Sequence, residues 1–341
     1  MNAFANFTDR LEGKVRQQLA ARRVGFLLGA GASFLNGDGY PLATQLWERI
    51  AAHVPGSERA DIQAKLDEGA DGIEQALDLL DRGGVEDMPH RHSVAEAIGR
   101  HFSQLRPPLD THGEFLVRLA RRTDLAVPVF CLNYDPLLER AAEHRRLRLV
   151  DGFIGAEHAY FDSAVFQGQT GTIQRGRRYQ QVHWVTGDVH LFKLHGSLGW
   201  YECPTSGVRR CGFALKIPAK TKRLMVPPQY RKATDTTVPP YAALWSEFRR
   251  LVRHGPGPLN RLACIGYGMR DEHVNAVIEN GLARGDFTLM IFVKTLVGDV
   301  FDRWSARQNV IVVTENRCSL YGESGPGHPD LWSFERLSCE V

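Results

Sequence analysis

The sequence predicts an α/β protein built on a doubly wound, mainly parallel sheet, and three observations support this prediction. Short apolar runs of strand length alternate with helical patterns along the chain. Most of these runs are continuously apolar, as is typical of strands that helices cover on both faces. Several runs end in glycine-rich or polar segments, and ligands of open α/β sheets bind beyond such strand ends. We therefore expect a Rossmann-like sheet.

Each predicted element follows from its local pattern. Apolar runs predict strands at 24–28, 127–132, 189–194, 224–226, 262–265, 288–293 and 310–314. Helical periodicity predicts helices at 42–52, 73–80, 94–105, 114–121 and 137–143. An amphipathic helix is also expected at the N-terminus, because apolar side chains recur there at helical spacing, namely Phe4, Phe7, Leu11 and Val15.

The spacing of the strands predicts one domain, 1–341, with two insertions. The interval between the first two strands is too long for a single crossover helix, so residues 42–120 are expected to form a helical insertion. Residues 152–188 are rich in aromatic residues, Gln and Gly, and predict an irregular or hairpin insertion. A proline-rich stretch at 227–240 predicts a surface connection.

Composition restricts the class of protein. The 341 residues are 43% hydrophobic and 24% charged, as in a globular rather than a disordered chain. A net charge of +3 does not by itself indicate nucleic-acid binding. We see neither a signal peptide nor an apolar run of the roughly 18 residues that a membrane span needs, so we expect a cytoplasmic protein without membrane contact. Six scattered cysteines form no CxxC pair, which argues against a zinc ribbon.

A glycine loop follows the first predicted strand. In LLGAGAS, Gly29 and Gly31 come directly after apolar residues, an arrangement that lets backbone amides approach a pyrophosphate. The dinucleotide fingerprint GxGxxG is incomplete, since Phe34 occupies the third glycine position, and no GK[ST] of a P-loop follows. A tight structural turn therefore stands as the alternative.

Polar motifs follow three further strands. Asn133 and Asp135 lie after the second strand, His195 after the third, and Gly266 and Gly268 after another. The alternative interpretation is structural. Asp135 would cap a helix that starts at Pro136, Asn133 would satisfy backbone groups, and His195 would be an ordinary strand-end histidine. Asp271 is expected to cap the helix after IGYG. If the strands are parallel neighbours, their polar ends converge on one crevice.

Taken in order, GAGAS, NYD, LHGS and IGYG resemble the motifs of the sirtuin-like family. The sequence is most similar to the bacterial sirtuin-like effectors of antiphage defence, on LLGAGAS at 27–33, NYD at 133–135, FKLHGSLGW at 192–200 and DEHVN at 271–275. The resemblance spans residues 22–300. Three features depart from the motifs of the family. Cys131 and Leu132 replace the usual Thr-Thr or Thr-Gln. The four-cysteine zinc module of protein-deacylating sirtuins is absent, and so is the Asp-Phe-Arg that often follows their glycine loop, and both absences favour the NAD-consuming defence branch.

The resemblance implies an NAD+ glycohydrolase that converts NAD+ to nicotinamide and ADP-ribose, with NAD as substrate and without zinc or another metal. It implies that Asn133 orients the ribose and the attacking water, and that His195 is the base, since the ordinary pKa of histidine is close to neutrality. Asp135 would hold the nicotinamide carboxamide. The remaining binding residues would be Gly29, Ala30, Gly31 and Ser33 at the pyrophosphate, and Gly266 and Gly268 near the adenosine half.

The resemblance also implies a biological setting, namely defence by NAD+ depletion, in a homo-oligomer that acts with a HerA-type ring ATPase. Residues 42–120 would be the assembly surface. The alternatives are an NAD-dependent protein deacylase or ADP-ribosyltransferase, and a non-catalytic NAD sensor. A nucleic-acid-binding or -cleaving component is a further alternative, and it rests on two basic patches, Arg175, Arg177, Arg178 and Tyr179, and Arg145, Arg146 and Arg148.

Overall fold

The computed structural model describes residues 3–81, 88–122, 126–167, 171–175, 180–184, 188–212, 217–219, 221–225, 238–253 and 259–341. The strands in these residues are β1 Val24–Leu28, β2 Ala126–Cys131, β3 Leu149–Val150, β4 Phe153–Ile154, β5 Ala159–Phe161, β6 Gly171–Arg175, β7 Gln180–Trp184, β8 Asp188–Lys193, β9 Gly196–Cys203, β10 Gly207–Arg210, β11 Lys222–Met225, β12 Arg261–Ile265, β13 Thr288–Phe292, β14 Val310–Val313, β15 Arg317–Leu320 and β16 Glu323–Pro326.

The α-helices in the same residues are α1 Ala3–Leu19, α2 Ala30–Phe34, α3 Ala43–Ile50, α4 Gly56–Asp67, α5 Gly72–Leu80, α6 Pro89–Gln104, α7 Asp110–Ala120, α8 Leu137–Arg145, α9 Tyr241–Val252, α10 Glu272–Leu282, α11 Gly298–Ser305 and α12 Phe334–Leu337. Among the described residues, no helix combines the length and the apolar character that a membrane crossing requires.

The main sheet has nine strands in the order β16-β15-β14-β13-β12-β1-β2-β8-β3. The seven strands from β14 to β3 pair in parallel, and β15 and β16 continue the sheet antiparallel. This arrangement confirms the predicted α/β class with a mainly parallel sheet.

The central strands are continuously apolar because both faces of the sheet are covered. Phe26 and Leu28 of β1 belong to one buried cluster, whereas Leu27 between them belongs to the cluster on the opposite face. Successive side chains of a strand point to opposite faces, so each face needs its own apolar set. The same division continues through Ala263 and Cys264 of β12.

Six α-helices, α2 to α7, lie between β1 and β2 among the described residues of this interval. Helices α3, α4, α5 and α6 pack on one another. Helix α7 instead covers the sheet, where Phe115 packs edge-on against Phe26 of β1 with 5.3 Å between ring centroids. The predicted interval 42–120 thus contains a helix cluster together with one sheet-covering helix.

A second, antiparallel sheet has the order β11-β9-β10-β5-β4, and β6 pairs with β7 in a separate hairpin. Strands β4 to β7 lie in the interval 152–188. Leu224 and Met225 of the strand predicted at 224–226 are part of β11, so they belong to this second sheet and not to the parallel one. Residue 226 and the prolines at 227 and 228 lie outside the described residues.

Two predicted helix starts have different outcomes. Asp271 is the N-cap of α10, and its side chain accepts hydrogen bonds from the amides of His273 and Val274. Helix α8 begins at Leu137, as the helical periodicity predicted, and Pro136, with φ −97° and ψ 23°, is its N-cap rather than its first residue. Asp135 is therefore not the N-cap, although its Oδ1 accepts a hydrogen bond from the Leu137 amide at 3.0 Å.

Candidate active site

Four neighbouring parallel strands end at the same edge of the main sheet. In the order β12-β1-β2-β8, they pair in parallel throughout. The residues that follow them are Gly266, Gly29, Asn133 and His195, so the loops that carry all four predicted motifs begin side by side. We call this set of loops the strand-end cluster, defined as residues 29–33, 133–135, 195–197 and 266–271.

Asn133 joins the loop after β2 to the loop after β1. Its Nδ2 donates to the carbonyl oxygen of Gly29 and to Ser33 Oγ, both at 2.8 Å. The side chain of Asn133 is half-buried. Two hydrogen bonds from one amide fix its orientation, so its Oδ1 is the atom with capacity left to accept a further hydrogen bond.

Asp135 is buried, and several groups affect the pKa of its carboxyl. Burial raises the pKa of Asp135, while the Lys193 ammonium and hydrogen bonds from the Leu137 amide and from Ser33 oppose that rise. Ser33 therefore contacts both Asn133 and Asp135. Because Ser33 is itself buried, its hydroxyl acts mainly in placing these two side chains.

His195 lies beyond β8 and is also buried. Its Nε2 is 3.3 Å from Oδ2 of Asp271, which lies in the loop after β12. The Trp245 ring of α9 is tilted against the imidazole, with 6.4 Å between ring centroids, and the Trp245 indole donates to the carbonyl oxygen of Leu194 at 3.0 Å. The sequence assigned Asp271 only to capping and gave no role to Trp245.

The glycines of the loops after β1 and β12 pack against one another and do not line an open anion-binding loop. A Cβ on Gly31 would lie 2.7 Å from the Gly266 Cα, and a Cβ on Gly29 would lie 2.6 Å from the Gly266 carbonyl oxygen. The amides of Gly29 and Gly31 donate to the carbonyls of Ile265 and Gly266, both at 2.9 Å. A pyrophosphate would have to share these donors with the protein.

The other predicted binding positions differ in exposure. Ala30 and Gly268 are exposed, Gly31 is half-buried, and Gly29 and Ser33 are buried. No described atom lies within 4 Å of a Cβ built on Gly268. Of the pyrophosphate set, Ala30 and Gly31 are therefore the positions that solvent can reach.

A buried lysine, Lys193, forms hydrogen bonds with the segment that follows Asn133. The sequence analysis did not identify this lysine. Lys193 Nζ donates to the Asp135 carbonyl and to Glu139 Oε1 of α8, the latter at 3.0 Å. The carboxylates raise the pKa of Lys193 against the effect of burial, so its ammonium stays charged. The signal in the sequence was a lysine inside an apolar run, LFKLH, since a charged residue at a strand end is buried only when it is paired.

Two further observations concern possible metal ligands and the two basic patches. No group of three or more His, Cys, Asp or Glu side chains that could hold a metal ion occurs there. In the second basic patch, Arg145 pairs with Asp110 and Glu114, and Arg148 pairs with Asp188. Of the first patch, residues 177–179 lie outside the described residues, and only the backbone of Arg175 is described, at the end of β6.

Comparison with known proteins adds a family to this geometry. Residues 128–313 match a family model described as a SIR2-like domain. A Sir2 homologue mutant in complex with ADP-ribose aligns at 13% identity with a TM-score of 0.46, covering 96% of this chain and 95% of that chain. A Sir2 homologue in complex with NAD aligns at 16% identity with a TM-score of 0.38, covering 85% and 91%. None of the curated proteins compared with the chain matches it.

The sheet order and the strand-end cluster define a Rossmann-like α/β protein with a candidate site at the carboxyl ends of its parallel strands. The matched family model covers more than half of the chain. The chain therefore belongs to the SIR2-like domain family.

Proposed function

We propose that the chain is an NAD+ glycohydrolase, which hydrolyses NAD+ to nicotinamide and ADP-ribose. One observation carries this proposal. The chain belongs to the SIR2-like domain family, and its Asn133 amide, which follows β2, is held by hydrogen bonds to Gly29 and Ser33. His195 follows β8, the strand that pairs with β2 in parallel, so both side chains are at the same edge of the sheet. A fixed amide can orient the ribose and the attacking water, and an imidazole can accept the proton that the water loses.

The reaction breaks the bond between ribose C1′ and the nicotinamide nitrogen. The leaving nicotinamide takes the bonding electrons and becomes neutral, and the ribose develops oxocarbenium character. Water adds to C1′ and loses a proton, which passes to solvent by way of His195. The Asn133 Oδ1 orients the ribose and the water, because its Nδ2 is already held by the protein.

The rest of the strand-end cluster supplies binding. Asp135 faces the nicotinamide carboxamide, and burial, which raises the pKa of its carboxyl, favours hydrogen bonding to an amide over solvation by water. The pyrophosphate lies against Ala30 and Gly31, and the adenosine half lies near Gly266 and Gly268. The mechanism uses no metal ion.

The test is nicotinamide release from NAD+ by the purified protein, with no acylated peptide added. We expect Asn133→Ala and His195→Ala to lower this release by about 10²-fold or more. Asn309→Ala is a matched control, because Asn309 Nδ2 also donates two hydrogen bonds. Its acceptors are the carbonyls of Leu282 and Phe287, both at 3.1 Å, at the opposite edge of the sheet. The control should lose similar stability and keep full activity.

Three outcomes would contradict the proposal. Undiminished nicotinamide release from both site variants would remove Asn133 and His195 from the reaction. Release that appears only when an acylated peptide is present would instead identify a deacylase, whereas NAD+ binding without turnover would identify a sensor.

The proposal extends to the setting that the sequence resemblance implies. We propose a cytoplasmic effector of antiphage defence that depletes NAD+, assembles into a homo-oligomer through the helical insertion 42–120 and acts with a HerA-type ATPase. The motif resemblance supports this extension. Sedimentation of the purified protein, alone and with such an ATPase, would test the assembly, and an active monomer unaffected by the ATPase would contradict it.

A further inference from the structure

The two carboxylate oxygens of Asp271 contact different parts of the protein. Its Oδ1 accepts from the amides of His273 and Val274 in the first turn of α10, at 3.0 and 3.3 Å. Its Oδ2 lies 3.3 Å from Nε2 of His195. Both side chains are buried, with relative exposures of 8% for Asp271 and 6% for His195.

The loop that carries Asp271 is held in place from both ends. The Tyr267 hydroxyl accepts a hydrogen bond from the Asp271 amide at 2.9 Å and contacts Asn275 Oδ1 at 3.1 Å. Asn275 Nδ2 in turn donates to the Met269 carbonyl at 2.8 Å. These bonds hold the backbone of the loop, and the two α10 amides hold Oδ1, so the protein sets the orientation of the Asp271 carboxylate.

Capping alone does not require a carboxylate here. Ser333 caps α12 through a hydroxyl that accepts from the Arg336 amide, and Asn and Ser cap helices about as well as Asp does. The second carboxylate oxygen, which faces the imidazole, is the feature that capping leaves unexplained.

We propose that Asp271 is the positioning residue of His195, and that its carboxylate keeps the imidazole proton on Nε2 and so sets the orientation of the ring. This inference rests on the proposed function, in which His195 is the base. A carboxylate 3.3 Å from one ring nitrogen stabilises the tautomer that carries its proton there. In this proposal, Asp271 acts on the reaction through His195.

The principal variant is Asp271→Asn, which keeps an oxygen for the two α10 amides and removes the charge that faces His195. We expect kcat for nicotinamide release to fall by at least about tenfold, with KM changed less than about threefold. Glu12→Gln is the matched control. Glu12 Oε1 faces Nε2 of another buried histidine, His328, at 3.0 Å, and His328 follows strands at the far side of the sheet.

A spectroscopic measurement tests the pairing without relying on activity. Long-range ¹⁵N–¹H correlation spectra report which nitrogen carries the proton, and the His195 signal is assigned by its loss in His195→Ala. We expect the Nε2–H tautomer in the wild type and in Glu12→Gln. In Asp271→Asn and Asp271→Ser, we expect a shift towards Nδ1–H.

The outcomes separate this inference from the proposed function. A wild-type His195 with its proton on Nδ1, or an Asp271→Asn protein with kcat within twofold of wild type, would overturn the inference. If the wild type releases no nicotinamide, the proposed function fails, while the tautomer shift still decides whether Asp271 positions His195. Asp271→Ser, which retains a capping oxygen, repeats the test if the asparagine variant does not fold.

Discussion

At the scale of single residues, the strand-end cluster depends on close approach between two backbones. Gly266 has φ +66°, in the left-handed region that favours glycine. A Cβ at this position would also lie 2.3 Å from the Ala32 amide nitrogen. The glycine loop after β1 and the loop after β12 are thus locked by steric fit, which explains why both contain glycine.

Gly266→Ala should therefore destabilise the protein, by about 2 kcal/mol or more, since it combines backbone strain with overpacking against main-chain atoms. Gly268→Ala, two residues later in the same loop, should change stability by less than about 0.5 kcal/mol, because no described atom lies within 4 Å of its Cβ. Urea denaturation of both variants measures the difference. Equal stability of the two variants would show that the loops do not pack in this way.

At the scale of elements, one buried titratable side chain lies between two helices. His112 of α7 is fully buried, and its ring packs against Phe334 of α12 with 4.7 Å between centroids. Burial lowers the pKa of His112 from 6.5 to about 3. In the unfolded chain the same imidazole regains its ordinary pKa, so between pH 6.5 and 3 the unfolded state binds more protons and is favoured as pH falls.

We therefore expect the wild type to lose about 2 kcal/mol more stability than His112→Phe between pH 7.5 and pH 5. The variant keeps an aromatic ring against Phe334 and removes the titration. Urea denaturation of both proteins at both pH values separates the two effects, because the difference at pH 7.5 reflects packing alone. Parallel loss of stability in the two proteins would contradict the assignment to His112.

The sequence predicted those elements whose pattern is local. The parallel strands were predictable because burial on both faces demands continuous apolar runs such as Leu262–Ile265 within β12. The second sheet was not, since β4 has two residues and β10 reads GVRR, too short and too polar for a strand signal. The ion pair between Lys193 and Glu139 joins residues 54 positions apart. The sequence around either residue does not indicate its partner.

The candidate site was predictable to a similar extent. The motifs marked Asn133 and His195, since polar groups after apolar strands stand out against the core. The neighbour relation β12-β1-β2-β8 is a property of the whole sheet, and so are the contacts that depend on it. The local pattern could therefore not predict that Asp271 faces His195. Nor could it predict that the amides of Gly29 and Gly31 donate to carbonyls of the protein.

At the scale of the molecule, the two ends of the chain close one side of the fold together. Helix α1 packs on β16, and Phe7 lies so close that a Cβ on Gly325 would be 2.3 Å from its ring. Glu12 contacts His328, and Arg16 pairs with Glu340. The apolar face predicted for this helix is buried at Phe7, Leu11 and Val15.

Substitutions two residues apart in α1 should accordingly have opposite effects. Leu11 is 1% exposed, so Leu11→Ala should cost about 2–5 kcal/mol through lost burial and the cavity left behind. Gly13 is exposed, with no described atom within 4 Å of a Cβ built there, so Gly13→Ala should add about 0.5–1 kcal/mol through helix propensity alone.

Because α1 covers the C-terminal strands, hydrogen exchange in residues 317–326 should accelerate in Leu11→Ala and slow or stay constant in Gly13→Ala. Unchanged exchange there in a destabilised Leu11→Ala protein would show that α1 and the C-terminal segment do not unfold as one unit.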